Sequence, residues 1–167
     1  MDSSRPEWGP TPGRLRLMEV KDLGHVVLYV ADLERSRRFY GDVLGFRQIA
    51  GMGSKAVMYS SASGRTHHEL LLLEVGPEAT PIPPGRRLGM YHFGLKIGES
   101  DDELRQALAE LESAGVTVLG TSDHGVTHSA YIIDPDGNEI ELYIDVQPER
   151  WRDDPAAAAA PIRPLVL

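Results

Sequence analysis

Two histidines and two glutamates stand at equivalent places in a pattern that the chain carries twice. His25 precedes an apolar run that leads into an acidic helix start, and His92 opens the corresponding run of the second half. Each half later carries a carboxylate beside an apolar segment, Glu69 in the first and Glu141 in the second. An internal duplication can bring such sets together across a pseudo-two-fold axis, and imidazole and carboxylate groups bind divalent metal ions. The sequence therefore predicts a metal site built from both halves.

The segments that position these residues in the first half begin with a strand. The run 26–30 is β-branched and aromatic, Asp32 is suited to cap a helix, and Gly45 ends the helical spacing. Three extended segments follow, at about 46–50, 55–60 and 67–75. The first half is therefore predicted to be a βαβββ unit.

The second half repeats this order. The predicted strand at 91–97 leads to a helix that Ser100 caps and Gly115 ends. The remaining strands are predicted at 116–119, 129–133 and 139–144, and a tight turn over 134–138 joins the last two. The chain is thus expected to contain two similar βαβββ modules.

The length and composition fit one compact domain. A chain of 167 residues with 41% hydrophobic content can bury a single core, and two independent domains would be cramped. We expect a flexible leader at 1–21, a single domain at 22–146 and a C-terminal tail at 147–167 that packs over the body or over a partner chain. Within the domain we expect module 1 at about 22–76, a Pro-rich connector at 77–89 and module 2 at about 90–146.

Charge and cysteine content limit the classes of function. The formal net charge of -8 and the pI near 5.2 argue against nucleic acid or an anionic membrane as a partner, because both would be repelled. The absence of cysteine removes disulfides and thiolate chemistry, so any metal must use histidine and carboxylate ligands. No apolar run approaches the roughly 20 residues that span a bilayer. We expect a cytoplasmic protein that acts on small molecules.

Three motifs resemble a known superfamily. They are the stretch Asp-Leu-Glu-Arg-Ser-Arg-Arg-Phe-Tyr at 32–40, Val-Leu-Gly-Phe at 43–46 and Asp-Pro-Asp-Gly-Asn-Glu-Ile-Glu-Leu at 134–142. Together with the paired modules, they resemble the vicinal oxygen chelate superfamily, which includes glyoxalase I, bleomycin-resistance proteins and extradiol dioxygenases. The resemblance implies an α+β fold in which two paired βαβββ modules form a curved, half-open mixed β-barrel around a metal site.

Within that superfamily, the chain looks most similar to single-domain type I extradiol catechol dioxygenases of aromatic compound metabolism. The resemblance implies Fe(II), with Mn, Ni or Zn as alternatives, held by His25, His92 and Glu141. Three protein ligands leave adjacent coordination positions free, which suits a catechol bound through two oxygens beside O2. The implied function is an iron(II)-dependent ring-cleaving dioxygenase that acts on a catechol-type diol.

The same resemblance implies roles for three further residues. His68 matches the second histidine of a paired-histidine motif and would act as an acid/base group near the oxygen site. Tyr131 stands ten residues before Glu141, where the dioxygenases have a tyrosine that hydrogen-bonds the substrate (141 − 131). A histidine also lies upstream of that tyrosine, and His124 is a nearer match than His128.

Two other functions use the same fold. A glyoxalase-type isomerase or lyase would take Glu69 as a fourth ligand to nickel or zinc, and a resistance protein would sequester its ligand without metal. Neighbouring residues of a strand face opposite sides, so the sequence leaves open whether His68 or Glu69 faces the metal. The catechol substituent and the choice between a degradative and a biosynthetic role also stay open.

The number of modules predicts self-association. The better-known extradiol dioxygenases have four βαβββ units, whereas this chain has two. The pocket walls that the other units supply must then come from a second subunit, the leader or the tail, and we expect a homodimer or a higher homo-oligomer.

Overall fold

A computed structural model describes residues 18–167 of the chain. Most of the predicted leader, residues 1–17, lies outside the described residues. Across residues 18–167, no helix combines the length and the apolar character that a membrane crossing requires.

The first module has the predicted order of elements. Asp32 caps its helix by accepting a hydrogen bond from the Arg35 backbone N–H at 2.8 Å, and Gly45, with a φ of 74°, turns the chain out of the helix. A short π-helical segment, Arg38–Val43, continues the helix before that turn. The elements are β1 Val26–Val30, α1 Leu33–Arg37, β2 Arg47–Gly51, β3 Ala56–Ser60 and β4 Leu70–Glu74.

The second module repeats the order with a longer helix. Ser100 and Glu103 form a capping box: the Ser100 hydroxyl accepts from the Glu103 N–H at 3.4 Å, and Glu103 accepts from the Glu99 N–H at 2.8 Å. Glu99, Glu103 and Ser100 thus define the start of the helix. The elements are β5 His92–Gly98, α2 Asp101–Ser113, β6 Val118–Asp123, β7 Thr127–Ile133 and β8 Glu139–Asp145.

Each module forms its own four-stranded mixed sheet. The strand orders are β1-β4-β3-β2 and β5-β8-β7-β6, and in each sheet the first pair is parallel and the other pairs are antiparallel. The two sheets do not close into one barrel. The predicted α+β class with paired βαβββ modules is therefore confirmed.

One strand shows how each sheet divides into a buried and an open face. On β1, Leu28 and Val30 are 5% and 1% exposed, whereas Val27 and Tyr29 between them are 44% and 71% exposed. The buried faces of both sheets contribute to one hydrophobic core, which also contains side chains of both helices. His25 lies two residues before Val27 and therefore on the same, open face of the sheet, so its side chain does not point into the core.

The turn between β7 and β8 joins the two modules. Asp134 is only 3% exposed, and its carboxylate accepts hydrogen bonds from the Tyr40 hydroxyl at 2.7 Å and from the Asn138 backbone N–H at 2.7 Å. Burial, with the adjacent Asp134 charge, raises the pKa of Tyr40 well above its usual value. The sequence predicts only a tight turn over 134–138, whereas in the structure the turn also fixes module 1 to module 2.

The C-terminal tail packs on module 2. It contains the helix α3 Pro148–Asp153 and a 3-10 turn Pro155–Ala159, and Arg163 then pairs antiparallel with Asp123 at the end of β6. Strand β6 extends to Asp123 instead of the predicted end at 119. Residues 120–123 lack an apolar pattern that would predict a strand. They form one because they pair with β7, and Asp123 also pairs with Arg163 of the tail on the other side.

Candidate active site

Neighbouring strands place His92 and Glu141 side by side on the open face of the second sheet. In the parallel β5/β8 pair, His92 is opposite Glu139 and Gly94 is opposite Glu141. The Nε2 atom of His92 lies 3.3 Å from Oε2 of Glu141. A Cβ at Gly94 would come within 3.3 Å of the Tyr143 ring, so the glycine leaves room for that ring beside the pair.

Tyr131 and His124 complete this group. Tyr131 is directly opposite Glu141 in the β7/β8 pair, and its hydroxyl donates to Glu141 Oε1 at 3.3 Å. The Nε2 atom of His124 lies 2.8 Å from the Tyr131 oxygen. Because the hydroxyl has one hydrogen and donates it to Glu141, we assign the proton of this contact to His124 Nε2. Burial and the Glu141 charge raise the pKa of Tyr131, so the phenol stays protonated.

A second group of histidines lies at the first sheet. The ring of His25 is 4.4 Å from that of His68, and the Nδ1 atoms of His67 and His68 are 2.5 Å apart. His68 is 7% exposed, and its Nε2 atom is buried without a hydrogen-bond partner in the described chain. Burial, followed by the neighbouring His67 and His25, lowers the pKa of His68. The His68 imidazole is therefore neutral near pH 7.

Glu69 points into its own loop. Its carboxylate accepts hydrogen bonds from the Ser61 N–H at 2.9 Å and from the Arg65 N–H at 3.0 Å. Desolvation acts to raise the pKa of Glu69, but the hydrogen bonds outweigh it and hold the pKa below its usual value. The sequence leaves open whether His68 or Glu69 faces the metal. In the structure His68 contacts His25, whereas Glu69 closes the loop before β4.

The six predicted site residues thus fall into two groups within one chain. His25 and His68 lie together at the first sheet, and the other four form the second group, namely His92, His124, Tyr131 and Glu141. Within residues 18–167, no three histidine, aspartate or glutamate side chains are grouped so that they could hold a metal ion. The ligand triad stays a prediction.

The second group nevertheless has the geometry of two adjacent metal ligands. Bonds of about 2.1 Å at right angles place neighbouring ligand atoms about 3 Å apart, close to the 3.3 Å between His92 Nε2 and Glu141 Oε2. The buried Nδ1 of His92 has no hydrogen-bond partner in the described chain, and Glu139 Oε1 lies 3.6 Å from it. Ligand histidines usually donate their second N–H to a carboxylate, and Glu139 lies just beyond hydrogen-bond distance of this nitrogen. The pair thus has two donor types that divalent metal ions accept in proteins.

Sequence reasoning missed Glu139. It lies two residues before Glu141 and therefore on the same face of β8, so strand periodicity could have identified it. Its charge, followed by a hydrogen bond and burial, raises the pKa of Tyr91. Glu139, Tyr91 and Tyr131 line an open cavity of about 310 Å³ with residues 119–122 of β6. This cavity adjoins the His92 and Glu141 pair.

His128 lies apart from this group. Its Nδ1 atom is 2.6 Å from Asp101 at the start of α2, and its Nε2 atom is 3.7 Å from Asp123. These contacts tie β7 to α2 and β6. His124, and not His128, therefore contacts Tyr131.

The comparisons with known proteins agree with this fold. Residues 22–142 match the Glyoxalase/Bleomycin resistance protein/Dioxygenase superfamily, and the chain belongs to that superfamily. It is 36% identical over 132 residues to a catechol-2,3-dioxygenase of Bacillus subtilis, covering 79% of this chain and 44% of that protein. It is also 29% identical over 126 residues to the glutathione transferase FosA of Serratia marcescens, covering 75% of this chain and 82% of that protein.

A solved structure supports the fold alone. The crystal structure of a glyoxalase/dioxygenase from Nostoc punctiforme matches with a TM-score of 0.67 at 22% identity, covering 83% of this chain and all of that one. The chain spans less than half the length of the Bacillus subtilis relative. Membership of the superfamily, which contains enzymes with different activities, therefore does not by itself define the reaction.

Proposed function

We propose that the protein is an iron(II)-dependent extradiol dioxygenase that cleaves the ring of a catechol-type diol with O2. The observation that carries the proposal is the contact between His92 and Glu141, with Tyr131 hydrogen-bonded to the same carboxylate. Two of the three ligands that the resemblance implies, and the tyrosine that it assigns to substrate binding, thus lie in contact, which supports the proposal. The dioxygenase relatives support the same reaction class.

In the proposed site, His25, His92 and Glu141 hold the iron. When bound, Fe(II) supplies the Lewis acidity that favours loss of a catechol proton and the electron transfer that O2 chemistry requires.

The remaining residues position the substrate and move protons. Tyr131 is a protonated phenol whose hydroxyl can turn from Glu141 to a substrate oxygen, and His124 orients that hydroxyl. His68 has a lowered pKa and an unpartnered Nε2, so it can accept a proton or return one at that atom. Burial of His68 keeps bulk water from that atom.

The direction of Glu69 favours this proposal over a glyoxalase-type isomerase or lyase. A fourth carboxylate ligand would have to leave the hydrogen bonds to Ser61 and Arg65. Zinc or nickel in the purified protein, with a catechol panel that shows no reaction, would favour the isomerase. A metal-free protein that binds ligands would instead match the resistance-protein alternative.

The test is anaerobic reconstitution with ferrous iron, followed by addition of oxygen and a panel of substituted catechols. We expect oxygen uptake and a yellow ring-opened product. His25→Ala, His92→Ala and Glu141→Ala should each lose iron, whereas His68→Phe should keep iron and lose turnover. Full iron stoichiometry in the first three variants would contradict the ligand assignment.

We also propose that the protein acts as a homodimer or a higher homo-oligomer, in the cytoplasm. The open face of the first sheet exposes Val27 and Tyr29, and Ile49 on the edge strand β2 is 50% exposed. A second copy covering this face could bring the His25 group of one subunit to the His92 and Glu141 pair of the other. Sedimentation or light scattering measures the assembly directly.

A further inference from the structure

We propose that the C-terminal tail is a positioning element for the active site: it holds the loop that carries His124, and His124 in turn orients the Tyr131 hydroxyl. The inference rests on the proposed function, because it assigns a task to the contact between His124 and Tyr131. It concerns residues 147–167, which have no role in the reaction as proposed above.

The loop that carries His124 is a short connection between β6 and β7. The His124 backbone N–H donates to the Thr127 carbonyl at 2.9 Å, and the Asp123 side chain accepts from the Gly125 N–H at 2.6 Å. Gly125 has a φ of 80°, a conformation that other residues rarely adopt. Strand β6 is the edge of its sheet, so β7 supports this loop from one side only.

The tail supports the other side at three points. Arg163 and Asp123 exchange both backbone hydrogen bonds, at 3.0 and 2.9 Å. The Arg150 guanidinium donates to the Gly125 carbonyl at 3.3 Å. The tail also packs closely on Gly125: a Cβ added to Gly125 would lie 3.3 Å from the Cβ of Ala160. The residues on both sides of His124 are therefore in contact with the tail.

The tail is itself anchored away from the site. Leu165 and Leu167 pack against a small cluster formed by Leu104, Ala130 and Ile144. Within the tail, the Arg150 guanidinium that contacts Gly125 also donates to Gln147 Oε1 at 2.8 Å. Because the tail is packed on the body of module 2, it can hold the loop that carries His124 in a fixed position.

The consequence for the site is geometric. His124 donates to the Tyr131 oxygen, which leaves the hydroxyl hydrogen of Tyr131 directed toward an acceptor. A displaced His124 would leave that hydrogen free to rotate, and small misplacements of positioning groups cost up to about a hundredfold in rate. The side chains of His92 and Glu141 lie on β5 and β8, so metal retention should not depend on the tail.

The test compares two substitutions at one tail position in the full chain. Arg163→Pro removes the N–H that bonds to Asp123, whereas Arg163→Ala keeps the backbone bonds and is the matched control. We expect Arg163→Pro to lower kcat by about tenfold or more, with KM and iron stoichiometry within about twofold of wild type. In a His124→Ala background, the same proline should lower kcat by less than about twofold, because the residue it acts through is gone.

A second measurement does not need turnover. Hydrogen exchange followed by mass spectrometry should show faster exchange of residues 123–127 in Arg163→Pro than in Arg163→Ala, with β8 unchanged. Equal exchange in the two variants, or an undiminished loss of kcat in the His124→Ala background, would overturn the inference. If wild type turned over no catechol while the exchange difference appeared, the proposed function would fail and the support of the loop by the tail would stand.

Discussion

The carboxylate of Glu139 should control how tightly the protein holds iron, although it is not a predicted ligand. Its Oε1 atom lies 3.6 Å from Nδ1 of His92, and that nitrogen is buried without a hydrogen-bond partner in the described chain. If Nε2 of His92 binds the metal, Nδ1–H needs an acceptor that fixes the ring and increases its basicity. The Glu139 carboxylate lies close enough to become that acceptor after a small shift.

The expected magnitude follows from this geometry. Loss of such an outer partner typically weakens metal binding by about 10- to 100-fold, which corresponds to about 1.4 to 2.8 kcal/mol. We expect Glu139→Ala to show the full effect. Glu139→Gln should lose less, because its amide oxygen can still accept from the imidazole N–H.

The assay is anaerobic competition for ferrous iron against a chelator of known affinity, with urea denaturation to confirm that the variants fold. Glu112→Gln removes one negative charge from an exposed position of α2 and serves as the control for net charge. An iron affinity of Glu139→Ala equal to that of Glu112→Gln would refute the reasoning. It would mean that Glu139 does not support His92.

Three further predictions test the links between modules, loops and subunits. Tyr40→Phe should lower the free energy of unfolding by about 1.5 to 3 kcal/mol in a urea titration, because it removes a buried hydrogen bond to the carboxylate of the β7–β8 turn. An unchanged free energy of unfolding would contradict this role of Tyr40. The pKa of Glu69 is below its usual value in the folded protein, so the ionised carboxylate stabilises the fold. This stability is fully present above the unfolded pKa of about 4.3 and is lost as the pH falls through the folded pKa. The difference in urea midpoint between wild type and Glu69→Gln should therefore shrink between pH 7 and pH 3, and a constant difference would contradict the assignment. Finally, inactive His25→Ala and inactive Glu141→Ala subunits are refolded together in equal amounts. If each site of a dimer combines residues of two subunits, about half of the dimers are mixed and each has one intact site, so up to about a quarter of wild-type turnover should return. No recovery would show that the subunits do not share sites.

The local elements followed from the sequence because their signals are local. Asp32 and Ser100 cap helices through contacts within a few residues, so the helix starts could be predicted from the sequence. The run 26–30 is apolar throughout, and only the structure shows that Val27 and Tyr29 lie on its exposed side. The turn over 134–138 is likewise a local signal, because its residue types favour a tight turn between two strands. These predictions agree with the structure because neighbours in sequence determine them.

The direction of His68 and Glu69 depended on the tertiary structure. Residues 61–69 form a loop before β4, so strand alternation does not apply, and the free N–H groups of that loop decide where the carboxylate turns. The support of His124 by the tail likewise depends on a contact between Asp123 and Arg163, which are far apart in the chain.

The sequence by itself determined the type of module, its duplication and the residue types that could bind a metal. Only the tertiary structure decided which of them meet: His92 with Glu141 in one sheet, and His25 with His68 in the other. The physical reason is that a side chain's identity and period are local properties. Its partners depend on strand register and on the packing of one module against the next, which distant residues set together.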